Sequence, residues 1–231
     1  LTTVLSVVFF LDILRHWRSK PGATYLFWWM AGVLTFGLGT FSESLHALLG
    51  WHAWNVRSWY VVGALLGGFP LAQGTAYLLM PRRLAHGLMV FFVGLILVGT
   101  VCVCLSPILP PPDHRLSGSA FVWQWVRYFS PAINIYSFVV LVGGAVWSAF
   151  QYFKQGPTHA RFLGNVLIAV GALLPGIGGS ATRFGHVEVL FVTELVGLFS
   201  IYLGYRVMRG TRSSSIHVAQ AAMAVEGISE R

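Results

Sequence analysis

The stretch 88–105, LMVFFVGLILVGTVCVCL, contains no charged side chain, no amide and no histidine. A helix rises ~1.5 Å per residue, so this run is about as long as the ~30 Å hydrocarbon core of a bilayer is thick. Nothing in it alternates with period two, and no face of it is polar, so it reads as a helix surrounded by apolar matter. The rest of the chain has the same character. Of 231 residues 56% are hydrophobic and only 10% are charged, with a mean hydropathy of +0.71. Soluble domains carry roughly 25% charged residues, so a water-soluble fold is excluded.

Outward from that run, seven apolar segments can be marked: 1–14, 25–50, 59–80, 88–105, 128–153, 162–181 and 186–207, separated by short polar or Pro-rich breaks. The expectation is an all-α polytopic membrane helix bundle of about seven spans, with one transmembrane domain over 1–212 and a short cytoplasmic tail over 213–231. The first segment is short for a span. It lacks the basic region and small-residue cleavage site of a signal peptide. The two cysteines, Cys102 and Cys104, are two apart in one run and point to different helix faces, which argues against a disulfide between them.

The net charge of +8 is distributed unevenly. One side of the alternating breaks holds eleven basic residues: Arg15, Arg18, Lys20, Arg82, Arg83, Lys154, Arg161, Arg206, Arg209, Arg212 and Arg231. The other holds four: Arg57, Arg115, Arg127 and Arg183. Basic residues collect on the cytoplasmic side, so the bias predicts N-out, C-in, and explains the charge without nucleic acid as a partner. Trp51, Trp54, Trp59, Trp123 and Trp125 would form an outer aromatic belt, and Trp17, Trp28, Trp29 and Trp147 an inner one. Gly63 and Gly67, with Gly32, Gly37 and Gly39, signal close helix packing. Pro175, Gly176, Gly178 and Gly179 predict a kinked or loosened sixth span. No internal repeat is visible.

Ionisable groups at membrane depth need a partner or a role. Glu43 lies roughly 10 Å below the outer interface, counted from Gly50, and Glu194 roughly 12 Å below it, counted from His186. His46 shares the helix face of Glu43. Around the rim come His52, Arg57, Tyr60, Arg127, Tyr128, Arg183, His186 and Glu188. The candidate ligand pocket is therefore Glu43, His46, Arg57, Tyr60, Arg183, His186 and Glu194, open to the outside. The competing reading is structural: Glu43 with Arg57, or Glu194 with Arg183, as a buried pair that fixes helix register. Glu43, His46, His186, Glu188 and Glu194 have metal-binding chemistry, but their spacing follows no ligand motif, and no metal is assigned. Gln73, Asn134 and Asn165 could line the pocket or bond to a neighbouring helix.

Some functions fall away. A retinal Schiff base needs a lysine in the last span, and the only lysines are Lys20 and Lys154. No G-x-x-x-x-G-K-[ST], H-E-x-x-H or G-x-S-x-G occurs. No cofactor is named by any motif. A single axial histidine to haem or chlorophyll stays open.

Ser42 and His46 form S-x-x-x-H, which resembles the opening of the pattern in seven-helix ceramidase and adiponectin-receptor-like metal hydrolases. The likeness ends there, with no aspartate in the third span and no H-x-x-x-H in the seventh. A broader resemblance runs through Trp28 or Trp29, Glu43, Gly50-Trp51, Arg57, Tyr60 and the run from Gly74 to Arg82, GTAYLLMPR. These residues resemble uncharacterised bacterial seven-helix membrane proteins over about the first third of the chain. That resemblance implies a bacterial plasma membrane and a seven-span plan, and carries no activity.

The leading functional expectation is non-enzymatic: a ligand sensor, or a membrane subunit of a larger complex, with the lipid bilayer and other membrane subunits as partners. The runner-up is an enzyme acting on a lipid or small hydrophobic substrate, with Glu43 or Glu194 as acid or base and His46 as proton carrier or metal ligand. A proton or solute transporter comes third.

Overall fold

The computed structural model describes residues 1–111, 116–154, 159–182, 184 and 186–229. Helices account for almost all of it. In chain order they are α1 (Thr2–Arg18), α2 (Thr24–Leu49), α3 (Ala53–Trp59), α4 (Phe69–Leu79), α5 (Arg82–Leu105), α6 (Phe129–Lys154), α7 (His159–Thr182) and α8 (Val187–Ser229). A π-helical stretch, Tyr60–Leu65, continues α3 toward α4. Among the described residues, five helical stretches are long and apolar enough to cross a membrane: Ala53–Leu79, Arg82–Leu105, Gln124–Lys154, His159–Thr182 and Glu188–Gly210. α1 has 17 residues and is short for a span. α2 has 26 but dilutes its apolar residues with Gly, Thr, Ser, Trp, Glu43 and His46. α5 is the most apolar, with a mean hydropathy of 2.9 and only 17% of that window buried. The face it leaves uncovered is suited to lipid, which solvates Phe91, Leu97 and Val101 as well as a protein core would.

The chain divides into two units, Leu1–Gly144 and Ala145–Arg231. In the first, α2 is the central element. A Cβ on Gly37 would stand 2.8 Å from Ser6 Cβ of α1, one on Gly32 2.8 Å from the Leu71 backbone nitrogen of α4, and one on Gly39 3.5 Å from Gly63 Cα. Glycines on α2 thus let three neighbours approach at backbone distance, as expected for helices packed without a hydrophobic driving force. Trp28, Phe69, Phe92 and Tyr136 fill the interior beside them, with Phe92 stacked on Tyr136 at 4.0 Å. Gln73, 0% exposed, ties three helices together. It donates to the Ala85 carbonyl at 2.8 Å and accepts from the Tyr136 hydroxyl at 2.8 Å.

The third segment begins earlier than its apolar run and is interrupted. Helix starts at Ala53, six residues before Trp59, so Arg57 lies inside it and not in the preceding loop. After the π stretch the chain breaks at Leu66–Gly68 before α4 resumes. The break frees the Ala64 carbonyl from its helical role, and α6 supplies the substitute donors: Ser130 Oγ at 3.0 Å and Asn134 Nδ2 at 3.2 Å. Irregular backbone at this depth is tolerated because protein donors meet it. Pro70 falls at the start of α4, where its missing N–H costs nothing.

In the second unit α7 packs on α8. Gly164, Gly171 and Gly178 repeat every seven residues on α7, and Gly197 and Gly204 do so on α8. A Cβ on Gly171 would lie 2.5 Å from the Gly197 carbonyl oxygen, and one on Gly204 2.5 Å from that of Gly164. A seven-residue repeat keeps one stripe facing the partner helix, so the antiparallel pair meets along matched glycines. The expected disruption around Pro175 does not break the helix, which runs through it to Thr182. Gly178 is spent on close approach to Thr193 and Leu190, and Pro175 lies against Gly197.

Candidate functional site

Gly50 ends α2 with φ +78, a left-handed conformation that favours glycine, and donates to the His46 carbonyl at 2.9 Å. The turn through Gly50–His52 sends α3 back along the C-terminal end of α2. Two hydrogen bonds one turn apart on α3 set its register on α2. Asn55 Nδ2 donates to the Ser42 carbonyl at 2.9 Å, and Trp59 Nε1 donates to Glu43 Oε1 at 3.0 Å.

The other side of α3 faces the segment that follows α5. Arg57 donates through Nη2 to the Ser106 carbonyl at 2.9 Å. Ser106 is 0% exposed, and its hydroxyl accepts from the Trp123 backbone at 3.2 Å. An antiparallel bridge between Ile108 and Phe121 folds this segment on itself and seats Phe121, 0% exposed, edge-on against Tyr60 at 5.0 Å. Arg127 is exposed and donates to Gln124 at 3.0 Å.

Four buried side-chain polar atoms in this corner have no hydrogen-bond partner: His46 Nδ1, Trp51 Nε1, Asn55 Oδ1 and Arg57 Nε. The Asn55 amide cannot be turned to relieve this. The Ser42 carbonyl only accepts, so the NH2 must face it and Oδ1 must face away. Native folds pair the great majority of such atoms, and each one left bare costs about 1–3 kcal/mol. Four of them within twelve residues mark this corner apart from the rest of the described chain.

Of the residues expected to form the pocket, Glu43, His46, Arg57 and Tyr60 belong to the first unit and gather around the α2–α3 corner. Trp59, and not Arg57, meets Glu43 Oε1, while Arg57 turns to Ser106. His186 is exposed ahead of α8, and Glu194 lies half-buried on it, both in the second unit. Arg183 lies outside the described residues. Among the described residues no group of three or more His, Cys, Asp and Glu side chains comes together to hold a metal ion. Gln73 and Asn134 bond to neighbouring helices, while Asn165 donates to Arg161 of its own helix.

Asn55 and Ser106 were not legible as site residues. Both act through main-chain carbonyls or backbone N–H groups, which leave no sequence pattern. The i, i+4 spacing of Asn55 and Trp59 was the one available signal, since it puts them on one helical face.

The chain matches no protein-family model, no curated protein and no solved structure. Its reading therefore rests on its own residues.

Proposed function

We propose that this is a seven-span plasma-membrane protein of bacterial type, N-terminus outside and C-terminus cytoplasmic, that works without catalysis. In this reading it senses a small polar ligand held in the α2–α3 corner and passes the signal on as a subunit of a larger membrane complex. The observation that carries it is the set of four buried, unpartnered polar atoms on His46, Trp51, Asn55 and Arg57. A molecule from outside the chain that pairs them recovers what folding leaves unpaid.

The orientation is supported by the eleven-to-four distribution of basic residues. Three cations assigned to the cytoplasmic side also rest on aromatic rings: Lys154 on Phe150 at 4.4 Å, Arg161 on Tyr152 at 5.5 Å and Arg206 on Tyr202 at 5.8 Å.

Native mass spectrometry of the protein, extracted gently from its own membrane, tests this reading. A small molecule retained by the native chain and lost from His46→Leu, or a second chain that accompanies it reproducibly, is the expected result. A bare monomer in both forms would remove the sensor and subunit reading together.

A further inference from the structure

Five cations lie at one end of the first unit. Arg15, Arg18 and Lys20 close α1 and enter the turn to α2, and Arg82 and Arg83 open α5. Contacts through α2 and α4 place the two groups at the same end. A Cβ on Gly74 of α4 would stand 2.9 Å from the Tyr25 carbonyl oxygen at the start of α2. Trp28 stacks on Tyr77 at 6.5 Å, and the Tyr77 hydroxyl meets His86 Nδ1 of α5 at 2.9 Å. Arg15, Arg18, Arg82 and Arg83 are exposed and Lys20 is half-buried, and none of the five side chains has a hydrogen-bond or ionic partner among the described residues. Asp12, half-buried on α1, is the one described acid at this end, since Glu43 stands at the far end of α2.

An exposed apolar stripe runs from each group along its helix. On α1, Leu11, Val8 and Val4 stand four, seven and eleven residues before Arg15, and on α5 Val90 and Leu97 stand seven and fourteen after Arg83. Such spacings keep a stripe on the helix face of its cation. We infer that this end of the first unit holds anionic phospholipid, with headgroup phosphates on the cations and acyl chains along the two stripes. The surface is separate from the α2–α3 corner and needs no occupant there. Basic residues just beyond a span attract anionic headgroups, and arginine meets phosphate oxygens with two parallel N–H donors. A zwitterionic headgroup offsets its own phosphate with an ammonium and gains less here. A soluble acidic protein would answer the cations and leave the stripes beyond them uncovered.

The test is native mass spectrometry of the full chain, reconstituted in an equimolar mixture of phosphatidylglycerol and phosphatidylcholine with the same acyl chains and extracted gently. Bound phosphatidylglycerol is expected to exceed bound phosphatidylcholine by about fivefold or more, the factor one well-placed cation supplies. Arg82→Gln combined with Arg83→Gln should lower that ratio several-fold. Arg82→Lys combined with Arg83→Lys keeps the charge and should hold most of it. Both pairs of changes fall at exposed positions without an internal partner, so the chain folds, and nine of the eleven basic residues on that side remain to set its orientation. Lys154→Gln combined with Arg161→Gln, in the second unit, should leave the ratio unchanged. Equal retention of the two lipids by the native chain overturns the inference. An acidic protein that accompanies the native chain from its own membrane and is lost with the glutamine pair would then be the occupant. A ratio that survives the glutamine pair, that falls as far in the lysine pair, or that falls as far without Lys154 and Arg161, overturns the inference as well.

Discussion

Trp59 and Glu43 lie on different helices, sixteen residues apart, and meet through a 3.0 Å hydrogen bond from indole Nε1 to carboxylate Oε1. That bond closes the C-terminal end of α3 onto α2 and holds the only acidic side chain of α2 in one place. Trp59→Phe removes the donor and keeps the ring, and should cost about 0.6–2 kcal/mol. Glu43→Gln keeps an acceptor and should cost less. Unfolding curves of the two variants in the same bilayer mimic check this, and the reverse order would show that the carboxylate is held by something else.

The α7–α8 pair predicts a contrast between two glycines on one helix. Gly171→Ala would push a methyl to 2.5 Å from the Gly197 carbonyl oxygen, whereas Gly176→Ala would meet nothing within 4 Å. The first should destabilise by about 1–3 kcal/mol, and the second should be neutral or slightly stabilising by helix propensity. Equal effects in a thermal unfolding assay would mean that the matched glycines are not in contact.

Gln73 links three helices, and its removal leaves one group, the Tyr136 hydroxyl, bare. Gln73→Leu orphans the Tyr136 hydroxyl inside the first unit and should cost about 1–3 kcal/mol. Gln73→Leu combined with Tyr136→Phe removes both partners and should recover part of that loss. Additive losses in the double-variant cycle would contradict the bond.

The apolar runs made the helical, membrane-embedded character legible, because burial in lipid constrains composition over whole segments. What was not legible depended on which neighbour each residue meets. The stretch 53–58, AWNVRS, has no apolar run, and it becomes helix because Asn55 and Val56 are buried against α2 and the core. Gly178 and Pro175 read as a kink or loosening by local propensity, and α8 turns them into a contact surface. In the site, the shared turn of Glu43 and His46 followed from spacing alone. The bonds of Asn55 and Arg57 to the Ser42 and Ser106 carbonyls did not, since main-chain acceptors are the same at every residue. Which groups would meet His186 and Glu194 depends on tertiary arrangement, and spacing along the chain carries no information about that.

The break between the π stretch and α4 predicts a local signature. Ser130→Ala with Asn134→Leu deprives the Ala64 carbonyl of both its α6 donors. Amide hydrogen exchange over residues 61–68 should speed up in that double variant, while the amides of α5 stay protected. Unchanged exchange in 61–68 would mean that the break is held by other bonds.

The account turns on what occupies the corner beside Asn55 and His46. An experimental density map of the protein, purified from its own membrane at a resolution that separates waters from larger groups, examines this directly. The account predicts one molecule larger than water within about 3.2 Å of both Asn55 Oδ1 and His46 Nδ1. Isolated waters there, or a side chain of the protein turned in to pair both atoms, would contradict it.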